Sequence, residues 1–533
     1  MAAPLTAVPN ANPKSPGFSA PNSLSPELVE AVVAQGSHRL ENPASVTLPN
    51  GSTVSLPYYG YDGNGPFIPL PGSVQAPGVT IEASKTEPDK NTYLVLHGQH
   101  GADPSYDYGS HFLYQGHETG QTGYITRINL DADPDHRVTL LASTLKDGTP
   151  IPTIDGSTWN PFARRLLFST ESGSNASVMQ ATPDYPSVVE DISGAFGRGG
   201  YEGMQTDPEG NVWLVEDIGG ASGSAGAKLT HAKQPNSFLY RFVPRHKHDL
   251  TRGRLQVLQV ISLRTGTPIV FHPGQADADI TSADVRDLHT FGKVFRTRWI
   301  TLHDTEVDGS APFDANAAAK SKGGTPFKRP ENAQFRPGSD FREYFFDETG
   351  DTNALTEVGA GGGGFGGIFK LTQSSPGADE GHLRLFYLSD VYHSGFDNVA
   401  FWDRNHIVFV EDAGDTLHTQ RNALDSAWLF DVRKDYSDPH NQPIRIIAQG
   451  RDASATVDSA YSAAGNGFQN EGDNELTGIH VSNGDPGVSG LLGASIPRLF
   501  NDGWRAFYTQ QHGDNVTYEI LPANDDCRRG DDD

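Results

Sequence analysis

Asp207-Pro208-Glu209-Gly210-Asn211-Val212-Trp213-Leu214-Val215-Glu216-Asp217 holds a turn, a strand and an acidic end in one short run. Pro208 presets its own φ, and Gly210 and Asn211 tolerate the backbone of a tight turn. The four apolar residues that follow, bounded by turn signals, read as a buried strand. The same grammar returns in Trp402-Asp403-Arg404-Asn405, then His406-Ile407-Val408-Phe409-Val410, then Glu411-Asp412. Looser copies are Trp159-Asn160-Pro161 with Leu166-Leu167-Phe168 ending at Glu171, and Arg336-Pro337-Gly338 with Tyr344-Phe345-Phe346 ending at Asp347-Glu348. A further copy is Asn501-Asp502-Gly503 with Ala506-Phe507-Tyr508, ending at Gln511-His512.

Turn–strand units recurring at intervals of tens of residues signal a toroidal β array, so the expected fold is all-β: a single large β-propeller of about six or seven blades with long loop insertions. Ser237–Phe242 and Ala427–Asp431 fit as next strands of their blades, and a pair of β-sandwiches is the competing arrangement. Only 36% of residues are hydrophobic while Gly (59) and Pro (36) abound, which suits many short strands and disfavours helical bundles. Phe (27) and Tyr (18) still furnish a core, which argues against wholesale disorder. Residues 1–30, rich in Pro, Ser, Ala and Asn, read as an extended arm, residues 31–522 as the propeller, and 523–533 as a disordered acidic tail. Ser25 to Gln35 is the best helix candidate, with Ser25 as its cap. Gly219 to Lys233, Asp308 to Lys328 and the glycine-rich Gly359 to Gly367 read as loops on a face of the ring.

A net charge of −26 argues against nucleic acid or an anionic membrane as partner, since both call for clustered Lys and Arg. One cysteine, Cys527, permits neither an intrachain disulfide nor a thiolate cluster. No apolar run reaches the length of a membrane span, and the first residues carry no signal-peptide pattern. The low cysteine content suits an exported bacterial protein, periplasmic or secreted. The oligomeric state is open.

In a propeller the innermost strands open onto one face, so acids and histidines far apart in sequence converge on the axis. Such a place suits divalent metal ions, which take several oxygen or imidazole ligands at about 2.0–2.6 Å. Glu202 stands between glycines in Gly197-Arg198-Gly199-Gly200-Tyr201-Glu202-Gly203, just ahead of a strand. Arg329 and Glu331 flank Pro330, whose fixed backbone aims both, the arginine at an anion. His393 with Asp397-Asn398 precedes the strand ending in Glu411-Asp412, and Glu475 lies close to His480. Strand ends add Glu171, Asp217 and His512. The bland alternative for each is a surface turn, an ion pair or a satisfied structural histidine. The alternating acids Asp131, Asp133, Asp135 and Asp277, Asp279 fit no EF-hand loop and read as solvated turns, with a peripheral Ca²⁺ site as the minority view.

Gly197 to Gly203, Thr325 to Glu331 and Asp397-Asn398 resemble, in that order and with strands after them, motifs of the PhoX-type alkaline phosphatases, across most of residues 110–515. That likeness implies an exported propeller with iron and calcium, Glu202 and Glu331 as metal ligands and Arg329 as a phosphate clamp. Thr170 stands where the family's cysteine ligand falls, which disfavours an iron–thiolate centre. The chain is also similar, in length and ligand layout, to the propeller-fold bacterial phosphotriesterases, or haloalkylphosphorus hydrolases. That likeness implies a two-metal site, commonly manganese with calcium as an alternative, held by Glu202, His393, Glu411 and His480.

The expected activity is therefore metal-dependent hydrolysis of a small phosphoric ester, a triester first, by a hydroxide shared between two cations. Phosphomonoester hydrolysis, a calcium-stabilised ring without catalysis, and a lactonase remain as alternatives.

Overall fold

The structure is a computed structural model that describes residues 4–10, 13–14, 22–63, 84–224, 231–351, 361–421, 423–452, 475–511 and 515–523. The tail with Cys527, His512 and residues 359–360 of the glycine-rich loop lie outside the described residues.

Nearly all regular structure is antiparallel β, in meanders whose strands pair in sequence order. The first sheet is Thr92–Val95, His111–Gly116, Ile125–Asn129 and Val138–Ala142, and the second is Ser157–Asn160, Arg165–Ser169, Val178–Ala181 and Val189–Asp191. A nine-stranded sheet follows. It consists of the meander Tyr201–Thr206, Val212–Glu216, Leu239–His246, Asp249–Val260 and the meander Ala333–Phe335, Glu343–Glu348, Gly367–Gln373, Glu380–Leu388. Phe295–Asp304 joins them at their outer edges. The fourth sheet is Phe396–Phe401, His406–Glu411, Ser426–Asp431 and Ile444–Ala448, with Ser23–Leu24 outside. The last is Glu475–Ser482, Arg505–Gln511 and Val516–Pro522, completed by Leu28–Ala34 from the other end of the chain.

The first strands of these meanders neighbour one another in a closed cycle, 92–95 to 157–160, 201–206, 333–335, 396–401, 475–482 and back to 92–95. Between 201–206 and 333–335 the Gly203 N–H donates to Glu331 O at 2.8 Å, so the nine-stranded sheet nearly closes on itself. Strand pairing thus gives four blade-like sheets and one nearly closed nine-stranded sheet around a common axis. The separate six or seven blades expected from sequence are not what pairing counts, because Phe295–Asp304 fuses two meanders.

The stretch 207–217 behaves as its residue types dictate. Asp207 Oδ1 accepts from the N–H groups of Glu209 and Asn211, closing the turn, while Oδ2 accepts from Trp213 Nε1 at 2.9 Å. Trp213 is buried edge-on against Trp299 and Phe335 between the two halves of the nine-stranded sheet. Asp403 does the same in the second copy, accepting from the N–H groups of Asn405 and His406.

One expected element is overturned. Ser25 to Gln35 is not a helix: Leu28–Ala34 is a strand, with Leu28 opposite Pro522 and Val32 opposite Tyr518. The open edge of Val516–Pro522 offers a row of backbone donors and acceptors, and pairing with it outweighs the weak helical preference of a valine-rich segment. Ser25 caps nothing helical; its Oγ donates to Thr6 O. Leu28 packs against Val408, Leu476 and Ile520, whereas Val32 is 53% exposed. Leu28→Ala is therefore expected to cost about 2–3 kcal/mol in chemical denaturation and Val32→Ala within about 0.5 kcal/mol. Equal costs would argue against this docked strand.

The Asp308 to Lys328 loop contains a helix, Ala315–Lys322, capped by the Asp314 side chain, which accepts from Ala317 N at 2.7 Å.

Candidate metal centre

Each of the six ring-forming strands has an acid just before its start or within its first two residues: Asp89, Asp155, Glu202, Glu331, Asp397 and Glu475. A second set, Glu118, Glu171, Asp217 and Asp412, follows the ends of second strands. Ring closure brings these acids together. Ligating oxygens lie mutually within 4.8 Å in five overlapping groups: Asp89/Asp155/Glu202, Asp89/Asp397/Glu475, Glu118/Asp155/Glu171, Glu171/Glu202/Asp217 and Glu202/Glu331/Asp397. Glu202 belongs to three of them.

Local backbone features aim these side chains. Glu202-Gly203 faces the single residue Val215 and Asp397-Asn398 faces Val410, two β-bulges at corresponding places. A bulge turns a side chain off the regular alternation and commonly sits beside a site. Glycine permits the strands to crowd there, since a Cβ on Gly156 would stand 1.7 Å from Glu202 O. Asn332 Nδ2 donates to Glu202 Oε1 at 3.0 Å, which fixes the carboxylate's orientation.

Arg329 lies at the edge of the group, its side chain 23% exposed. Its Nε and Nη2 grip Asp217 at 2.7–3.1 Å, and Nη2 also reaches Glu331 Oε1 at 2.7 Å. Its φ of 57° is in the left-handed region, strained for a residue with a side chain. The surroundings enforce it: Thr349 N–H donates to Arg329 O, and the adjacent Lys328 Nζ is buried on Asp351 at 2.9 Å.

Burial drives the carboxyl pKa values of Asp155, Glu171, Glu202, Glu331 and Glu475 upward, and neighbouring carboxylates push the same way. Arg329 opposes the rise at Glu331 without cancelling it. Asp397 is pushed up to about 6, by burial first and then by Asp89. Glu171 Oε1 and Asp397 Oδ2 are buried with no hydrogen-bond partner among the described residues. Orphaned acceptor oxygens in a pocket of hard donors fit bound cations such as Ca²⁺ or Mn²⁺. Each of the five groups is made of carboxylates alone, and Thr170, where a thiolate would be needed, accepts from Ser177 N instead.

A pH dependence follows with a definite sign. Acids whose folded pKa is raised bind more protons folded than unfolded between about pH 4 and the raised values, so stability falls as pH climbs through that window. Protein stripped with EDTA is expected to melt higher at about pH 5 than at about pH 8, and added cations should lift the pH 8 value selectively. Thermal melts at both pH values check this.

Of the residues singled out from sequence, the structure brings together Glu171, Glu202, Asp217, Glu331 and Glu475, with Arg329 against two of them. It places three others elsewhere. Glu411 is buried in its own sheet, accepting from Ser426 N, Trp428 Nε1 and Arg421. His393 pairs with Asp390 at 3.1 Å and packs edge-on against Trp428. His480 accepts from Tyr93 N at 3.3 Å beside a cavity lined by Trp159 and Ser482, and burial holds its pKa down at about 3. Asp89, Glu118, Asp155 and Asp397 join the donor groups although the sequence does not mark them as ligands, and Asp412 acts on the buried Glu331 and Glu475. Of the alternating acids elsewhere, Asp133 accepts from the N–H groups of Asp135 and His136 in its own turn, and Asp131 accepts from those of Ser110 and His111 at the start of the preceding strand. Asp277 and Asp279 are not in a solvated turn: they lie in the short helix Ala276–Ile280, where Asp279 is buried and accepts from His272 N.

No family model matches this sequence, and no curated protein matches it. The match comes from solved structures. The chain shares its fold with PhoX of Pseudomonas fluorescens, solved in complex with vanadate, a transition state analogue. The TM-score is 0.52 over 97% of this chain and 98% of that one, at 11% identity, a likeness that speaks to fold alone. A nidogen/laminin complex (TM-score 0.31, 10% identity, 77% of this chain and 98% of that one) and Sqt1 from Chaetomium thermophilum (0.34, 10%, 93% and 99%) lie further off. None of the described helices is long and apolar enough to cross a membrane.

Proposed function

We propose that the chain is a metal-dependent hydrolase of phosphoric esters acting at the axial acid cluster. The two halves of the nine-stranded sheet then count as two blades of a six-bladed propeller. The observation that carries the reading is the convergence of acids from all six ring strands on one cluster edged by Arg329. Asp89, Asp155, Glu171, Glu202, Asp217, Glu331, Asp397 and Glu475 would hold the cations, Mn²⁺ or Ca²⁺ by donor type. Such cations supply Lewis acidity and a water of lowered pKa.

The chain's own contribution is positional. Glu202, held by Asn332, keeps a fixed carboxylate at the crossing of three donor groups. Arg329 has Nη1 uncommitted among the described residues, while Nε and Nη2 anchor the guanidinium. A fixed, charged donor beside the cluster suits an anionic phosphoryl group and gives little to a neutral one. Burial opposes its charge, but Asp217 and Glu331 outweigh burial and keep it protonated.

Phosphomonoesters are thus the favoured substrates over the triesters first expected. The triester likeness leaned on His393 and His480, which sit apart from the acid groups. The match in fold to a vanadate-bound PhoX supports the same choice, and an exported, periplasmic or secreted location accords with it. The test is to strip the protein with EDTA, restore Mn²⁺ or Ca²⁺, and assay a chromogenic monoester, diester and triester side by side. Cation-dependent monoester turnover is expected; no turnover of any ester with either cation would sink the reading.

A further inference from the structure

Beneath the acid cluster lies a buried cation that the proposed chemistry does not use. Lys90 is 3% exposed and follows directly on Asp89. A buried ammonium ordinarily pairs with a carboxylate, because an isolated charge in a low-dielectric interior is costly. Lys90 does not. Its Nζ donates to Asn398 Oδ1 at 2.6 Å and Asn332 Oδ1 at 3.2 Å, and among the described residues no carboxylate forms an ion pair with it. Burial pulls the pKa of the Lys90 ammonium down, and Asp89, Asp397, Glu202 and Asp347 lie close enough to push back against that fall.

The two amides stand between the ammonium and the acids. With their oxygens on Lys90, their NH₂ groups are left to face the other way. Asn332 Nδ2 donates to Glu202 Oε1 at 3.0 Å, and Asn398 Nδ2 donates to Asp397 Oδ1 at 2.6 Å and Glu202 Oε1 at 3.4 Å. A direct ion pair would occupy a carboxylate oxygen for good. The amide spacer aims N–H donors, polarised by the ammonium, at Glu202 and Asp397, fixes both, and leaves Asp397 Oδ2 unpartnered.

We propose that Lys90 is the resident cation of the acid cluster, balancing its carboxylates when no metal is bound and, through Asn332 and Asn398, orienting Glu202 and Asp397 for the metals that join it. The inference rests on the metal-centre reading above and gives Lys90 a positioning role.

The test uses the full chain and reads melting temperature, with the metal ion alone as probe. Lys90→Met keeps most of the volume and removes the charge; Lys90→Arg keeps the charge. Wild-type protein, stripped with EDTA, should still fold and should melt higher with Mn²⁺ or Ca²⁺. Stripped Lys90→Met should melt about 5 °C or more below stripped wild type, and saturating cation should close most of that gap. Lys90→Arg should fall between the two. If Lys90→Met is recovered folded only from medium supplemented with Mn²⁺, the proposal is supported in its strongest form. Equal losses with and without cation, no loss, or failure to fold in either medium would overturn it. A wild type whose melting responds to neither cation would instead remove the metal-centre reading itself.

Discussion

Glu202→Ala is expected to lower phosphomonoester hydrolysis by about a thousandfold, while His393→Ala stays within about threefold of wild type. The contrast follows from where each side chain points. Glu202 contributes to three of the five donor groups, so its loss breaks several sets of ligands at once. Its backbone O also accepts from Ser169 Oγ, a contact that alanine keeps, so the strand itself is spared. Glu202→Gln separates charge from shape: it retains an oxygen for Asn332 Nδ2 but presents a neutral amide to the cations. It should lose activity nearly as far as alanine. His393 is engaged by Asp390 and Trp428 in the loop before its strand, and its removal costs a local contact. Bound metal, measured by elemental analysis on each purified variant, should drop in both Glu202 variants and hold in His393→Ala. A silent Glu202→Ala, or a His393→Ala that loses metal, would move the centre of chemistry elsewhere in the molecule.

The two Glu-Asp strand ends show what a sequence can and cannot specify about such a site. The acidic ends themselves were plain in the turn–strand grammar, because a ring-lining strand closes on a polar face. Which acid of each pair serves the axis was not. Glu216 turns into its own sheet to accept from Phe238 N, Tyr240 OH and Asn316, leaving Asp217 to the cluster. Glu411 does the same with Ser426 N and Trp428 Nε1, so Asp412, not Glu411, follows the pattern of Asp217. One position along a strand reverses the face, and the segment alone does not say which face is the axis. The bulges at Glu202-Gly203 and Asp397-Asn398 compound this, since each resets the alternation by one residue. Asp89 and Asp155 were illegible for another reason. Asp155 precedes Ser157–Asn160, a polar stretch without an apolar run, and Asp89 stands three residues ahead of Thr92–Val95, an apolar strand that ends in no acid to flag it. The repeat was legible; its fusion through Phe295–Asp304 was not, because that strand's two partners lie far apart in sequence.

Arg329→Asn is expected to cut kcat/KM for a phosphomonoester by about a hundredfold while changing a triester's by no more than about threefold. Asparagine is the informative replacement because it tolerates the left-handed backbone at φ 57°, so the loss reports on the guanidinium and not on the turn. Under the proposed function an anionic phosphoryl oxygen would gain a charge-assisted bond from Nη1, whereas the phosphoryl oxygen of a neutral triester carries no net charge for the arginine to meet. Inhibition by inorganic phosphate should weaken by a factor similar to the monoester loss, which gives a second readout if triester turnover is slight. The variant also uncovers Asp217 and Glu331, each gripped by Arg329 at 2.7 Å. Without that countercharge the two acids attract cations more strongly, so metal content should hold or rise even as activity falls. That combination, metal kept and monoester turnover lost, distinguishes a substrate clamp from a residue that merely keeps the cluster intact. A parallel fall in metal content and in the turnover of every ester would assign Arg329 to holding the acids in place and leave the phosphoryl group without a protein partner of its own.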